Sequence, residues 1–181
     1  MTDFQNFLAE NSRELGIFQY GFLPVEQLSF SEGVQNLCKM NYCGHYGKKW
    51  VCPPGVGTYE ECRQRILQYN HVFVFTTKHD LEDSYDFDGM MAGKAEHNKV
   101  CEKVVEKFKT FYPDHILILA GDDCNLCSKC TYPDAPCRFP DKAHPSIESH
   151  GVEVNRLAAT LGINYINGEN TVTYFGCICF M

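Results

Sequence analysis

The chain has 181 residues, a formal net charge of -7, 44% hydrophobic and 22% charged residues, which fits one folded domain spanning 1–181 and excludes a disordered chain. The acidic balance and the lack of a basic stripe argue against nucleic acid as a partner, because binding it relies on neutralising phosphates. No apolar run approaches the roughly 20 residues that cross a bilayer, so no membrane span is expected.

Phe4 to Leu15 spaces its apolar residues as a short amphipathic helix, and Ile17 to Leu23, closed by Pro24, reads as a strand. Cys38 to Gly57 has little periodicity; its cysteine, glycine and proline predict an irregular loop tied down by something other than a core. Thr58 and Glu61 form a capping-box pattern that opens a helix to about Tyr69. His71 to Thr77, aromatic and β-branched, is a buried strand. His79 to Asp88 carries five carboxylates in ten residues without calcium-loop spacing, and reads as a solvated loop. Met90 to Phe111 sets Val100, Val104, Val105 and Phe108 on one helical face. Ile116 to Ala120 is apolar throughout, as expected of a central strand covered on both sides. Val152 to Leu161 is a further helix closed by Gly162, and Thr171 to Phe180 is a last strand. The order predicts an α/β or α+β fold: a small mixed sheet of roughly four or five strands covered by helices, with cysteine-rich metal-binding loops at about 38–62 and 124–140.

Eleven cysteines are the outstanding feature. The N-terminus has no basic start followed by an apolar block, which points to the cytoplasm, where clustered thiols serve as metal ligands or redox centres more often than as disulfides. Cys124, Cys127 and Cys130 have the C-x2-C-x2-C spacing by which a tight loop wraps three thiolates around the corners of a cubane. Cys137 is the candidate fourth ligand, six residues after Cys130 where bacterial ferredoxins have three. The first group is Cys38, Cys43, Cys52 and Cys62. Its Cys52-Pro53 step is like the Cys-Pro that closes the ferredoxin motif, and Trp50 is placed to shield a centre there from water. Cys62 is the weakest member, in the first turn of the predicted helix, where the dipole favours a thiolate. Zinc is the rival metal, although the paired CxxC knuckles or spaced histidine pair of tetrahedral sites are missing. Cys177 and Cys179 share one face of a strand, as core thiols or a redox pair, and Cys101 belongs to a helix core.

Two motifs, C-x4-C-x2-Y-G-x2-W-x-C-P-P-G from Cys38 to Gly55 and A-G-x2-C-x2-C-x2-C-x6-C-R-x-P from Ala120 to Pro140, and then P-S-I-E-S-x-G-V-E-V from Pro145 to Val154, are spread over a stretch from Cys38 to Val154 that takes in most of the chain. In these the chain resembles a family of predicted metal-binding proteins, common in anaerobic bacteria and archaea, classed as a domain of unknown function. The resemblance implies iron-sulfur binding and supplies no reaction.

The leading expectation is an electron-transfer or redox accessory protein with one or two 4Fe-4S clusters. Two fully thiolate-bound cubanes would take the formal charge to about -11, suited to docking on a basic redox protein partner. The alternative is an enzyme or sulfur-handling protein in which Cys62 is not a ligand and one iron stays open to a small molecule; His45, Tyr46, Lys48 and Lys49 would then lie beside it. A third reading is a zinc-stabilised interaction module. Arg138, next to Cys137, is a candidate for binding an anion or for a hydrogen bond to cluster sulfur. No P-loop or dinucleotide fingerprint is present.

Overall fold

The computed structural model describes residues 2–121 and 124–181. Its first helix, α1 (Asp3–Asn11), opens with a reciprocal capping box between Thr2 and Gln5 and buries Phe4 and Leu8. It stops short of the expected Leu15 because the chain turns back: Gly16 adopts a φ of 86°, and the Ile17 N–H bonds the Ser12 carbonyl at 2.9 Å.

Four strands follow: β1 (Gln19–Pro24), β2 (His71–Asp80), β3 (Ile116–Leu119) and β4 (Thr171–Phe180). The described residues form one four-stranded sheet in the order β1-β2-β4-β3, with every strand pairing antiparallel. An isolated parallel bridge between Ala120 and Ser146 lies outside these strands.

Side chains along a strand alternate between faces, and each face of this sheet has its own core. Phe73 and Phe75 of β2 and Ile178 of β4 pack with α1 and with Val100, Val104 and Phe108 of the long helix α4 (Phe87–Phe111). Val72 and Val74 of β2 and Cys177 and Cys179 of β4 point the other way. They meet Ile66 of α3 (Tyr59–Ile66) and Leu157 and Ala158 of α5 (Val154–Leu161). α3 carries the predicted Thr58–Glu61 capping box, and Gly162 closes α5 at a φ of 66°. A short helix that the sequence did not signal, α2 (Glu32–Leu37), leads into the first cysteine loop. No helix among the described residues is long and apolar enough to cross a membrane.

β3 departs from expectation. It is covered on both faces, with Leu117 and Leu119 toward one core and Ile116 and Ile118 toward the other, yet it is an edge strand. An apolar run reports that both faces are covered, not where the strand stands in the lateral order. Beyond it the Ala120 N–H bonds the Pro145 carbonyl at 2.8 Å, and the Ile147 N–H bonds the Ala120 carbonyl at 3.1 Å. The second cysteine loop thus leaves and returns at one point on the sheet edge. Gly121 begins it because a Cβ there would run into the Phe175 carbonyl.

Candidate metal centre

Internal hydrogen bonds fold the second loop on itself: Ala135 N–H to the Thr131 carbonyl at 3.0 Å, Thr131 Oγ1 to the Pro136 carbonyl at 2.8 Å, and Arg138 to the Lys129 carbonyl at 2.9 Å. This brings Cys124, Cys127, Cys130 and Cys137 around one narrow cavity, together with Lys49 and Trp50 from the first loop. As the side chains stand, the space is about 20 Å³, room for about one water-sized group. Among the described residues no three His, Cys, Asp or Glu side chains converge closely enough to hold a single ion.

The thiols of this cavity have distinct surroundings. Burial pushes Cys124 above the usual thiol range; the Leu126 amide and Lys49 oppose that, while Cys137 and Cys127 reinforce it. Cys130 goes the other way. Burial raises it, but the backbone amides of Tyr132, Trp50 and Thr131 and the charge of Lys49 outweigh burial and hold the thiol below its usual range. Lys49 is fixed by hydrogen bonds from Nζ to the Cys124 carbonyl at 2.7 Å and to Asn125 Oδ1 at 3.2 Å.

Trp50 belongs to this second centre, although its sequence position suggested a shield for the first. Its Nε1 donates to the Ala135 carbonyl at 3.0 Å, and its ring meets Tyr132 edge to face at 4.9 Å. Gly55 makes the approach possible: a Cβ there would lie 2.7 Å from the Lys49 carbonyl and 2.9 Å from the Tyr132 ring.

The first group is less convergent. Cys38 ends α2, and burial, then its neighbours Cys43 and Glu148, raises its pKa. Cys43 is exposed, and Cys52 is half-buried with its carbonyl accepting the Val56 N–H at 3.0 Å. Cys62 is fully buried and turned elsewhere. Its thiol bonds the Val56 carbonyl at 3.6 Å, accepts from Gln35 at 3.6 Å and lies 3.9 Å from the Arg65 guanidinium. None of these contacts is a cysteine. His45 and Tyr46 are half-buried in the loop, with the Tyr46 N–H on Asn41 Oδ1 at 3.0 Å, and Lys48 is exposed. Arg138 lines the cavity of the second group and donates to the Lys129 carbonyl.

Two residues without a role in the sequence reading join the motifs. Gln35 Nε2 donates to the Ser149 carbonyl at 2.8 Å, tying the third motif to the first loop. Arg65 bonds His150 Nε2 at 3.0 Å and the Val56 carbonyl at 3.1 Å. The signal available for Arg65 was its place one turn after Cys62 on a predicted helix. Cys177 and Cys179 are buried core thiols that hydrogen-bond each other, and Cys101 lies 3.2 Å from His97 Nε2, its pKa pushed up to about 12 by burial.

A family described as predicted metal-binding protein (DUF2284) matches residues 21–180, a span that contains both loops and the third motif. The chain belongs to this family. No curated protein and no solved structure matches it. DUF2284 membership makes the chain a cysteine-rich, predicted metal-binding domain; the family's description names neither the metal nor a reaction.

Proposed function

We propose that the chain is a cytoplasmic iron-sulfur protein that holds a 4Fe-4S cluster on Cys124, Cys127, Cys130 and Cys137 and exchanges electrons with a redox protein partner. The observation that carries this reading is the ring of four thiols with backbone amides and Lys49 aimed at it. The donor set fits such a group: four soft sulfurs, two of them accepting backbone N–H bonds, the interaction by which proteins tune cluster potential. When bound, the cluster supplies one-electron redox chemistry. Lys49 offsets thiolate charge, the amides of Thr131 and Tyr132 keep Cys130 ready to ligate, and Trp50, Leu126 and Phe139 limit water at the cavity. Leu126 and Phe139 are also exposed and give the site an apolar rim on which a partner can dock.

A second reading follows from Cys62. With that thiol engaged by Gln35 and Val56, the first group offers Cys38, Cys43 and Cys52, and a cluster held by three thiolates keeps one iron open to a ligand, a site for catalysis or sulfur handling.

Oxygen-free purification with iron and acid-labile sulfide analysis, followed by EPR of the reduced protein, tests both. About four irons and four sulfides per chain mean one cubane, and twice that means two. Colourless protein with zinc and no sulfide sinks the redox reading.

A further inference from the structure

On the far side of Cys137 lies a larger cleft of about 580 Å³, the size of a small-molecule site. It shares the wall made by Trp50, Val51, Cys137 and Ala143 with the thiol cavity. Pro133, Pro136, Pro140 and Pro145 supply much of the remaining lining, and their rings have almost no rotamer freedom to lose when a ligand enters. Among the described residues two charged side chains line the cleft, Arg65 and Asp134.

Arg65 is half-buried and its described partners are neutral. It donates to the Val56 carbonyl at 3.1 Å and to His150 Nε2 at 3.0 Å, and stands 3.9 Å from the Cys62 thiol. A guanidinium only donates, so the facing His150 nitrogen is an acceptor and the ring is uncharged. Burial first, and the Arg65 charge second, push His150 down to about 4, in agreement. Glu61 feels the Arg65 charge, but its carboxylate is held by Thr58 in the capping box. A partly desolvated cation surrounded by neutral acceptors attracts an anion more strongly than a solvated one does, and its planar fork matches a carboxylate.

Asp134 is exposed and makes no hydrogen bond or ion pair among the described residues. It adds one negative charge to a lining that otherwise favours anions, which disfavours dianions and favours a ligand with a donor at its other end.

We propose that this cleft binds a small organic carboxylate, its anionic end on Arg65 and its apolar body along the wall that carries Cys137. The site stands on the cleft and the unbalanced guanidinium and needs no particular metal, so it goes beyond the electron-transfer reading; the shared wall sets its ligand beside the metal centre.

Calorimetric titration of the full chain, purified with its metal, tests this with benzoate, 4-(aminomethyl)benzoate and terephthalate. Saturable binding is expected for benzoate, tighter for the aminomethyl analogue and weaker for the dianion. Arg65→Gln weakens benzoate by about tenfold or more, the effect of losing a charge-assisted bidentate contact. Asp134→Asn tightens benzoate by about threefold and abolishes the preference for the aminomethyl analogue, on an exposed residue whose replacement leaves the fold intact. Absence of saturable benzoate binding overturns the proposal, as does an unchanged affinity in an Arg65→Gln protein with a native circular dichroism spectrum. If Arg65→Gln does not fold, Asp134→Asn decides: a lost preference upholds the site and an unchanged one rejects it. Iron and sulfide are counted on the same samples, so carboxylate binding without iron, or clusters without carboxylate binding, tells which of the two proposals has failed.

Discussion

Cys130 and Cys62 show how little a cysteine's identity says without its neighbours. Three amides and a lysine favour the thiolate of Cys130, whereas burial beside Gln35 and Val56 keeps Cys62 protonated, its pKa raised despite Arg65. Cys130→Ser is therefore expected to remove at least half of the iron bound at the second loop, and Cys62→Ser to leave it unchanged, read as iron per chain and visible absorbance. The C-x2-C-x2-C spacing made the grouping of these cysteines round one cavity legible, because three cysteines two apart constrain a loop strongly. The partners of Cys62 were not legible: Gln35 reaches it from 27 residues away. A second residue-scale expectation concerns His97, which is 1% exposed between Thr77 Oγ1 at 2.9 Å and Cys101. Burial, against a backbone hydrogen bond with Phe175 and with help from His79, pushes it down to about 4. The unfolded chain takes up this proton near pH 6.5 and the folded one resists, so the contribution is full above pH 6.5 and is lost as pH falls toward 4. It is on the order of 3 kcal/mol. Urea melts of wild type and His97→Gln across that window check it: the wild type loses more stability on acidification than the variant.

Elements were read well where local chemistry and hydrophobic period agree. The Thr58–Glu61 box, the one-faced valines of α4 and the closing Gly162 all lie where the sequence puts them. α2 escaped because its six residues hold too few turns to show a period. β3 was misplaced because apolarity counts covered faces and not neighbours. The central pair, β2 and β4, depends on a detail of size instead. Gly176 faces Phe75 across the ladder, and a Cβ on it would run into the aromatic ring, which is itself locked in the core between sheet and α4. Gly176→Ala is expected to destabilise the fold by about 2 kcal/mol or more, since an overpacked core has no slack, measured as a lowered midpoint in chemical denaturation.

The whole molecule adds electrostatics to this frame. A chain of net charge -7 attracts cationic electron donors at long range, and salt screens that attraction within about 10 Å at 0.1 M ionic strength. Reduction of the metal-loaded protein by a viologen radical cation should slow several-fold between low and high salt, followed by stopped flow; a salt-independent rate would place the electron entry point away from the acidic field. Composition exposed this charge, but not how the three motifs meet. That joint is made by the Gln35 bond to Ser149 and by Gly55, and neither long-range pairing leaves a periodic trace in the sequence.

Gly55 has a thermodynamic corollary. With no space between the Lys49 carbonyl and the Tyr132 ring, neither loop can stiffen alone. On the reading in which both loops hold metal, the loop that loads first would remove chain entropy that the other would otherwise lose, and the second uptake would become easier. Half-filled protein would then be the scarce species at intermediate metal supply, and loading would proceed as a threshold instead of a gradual rise.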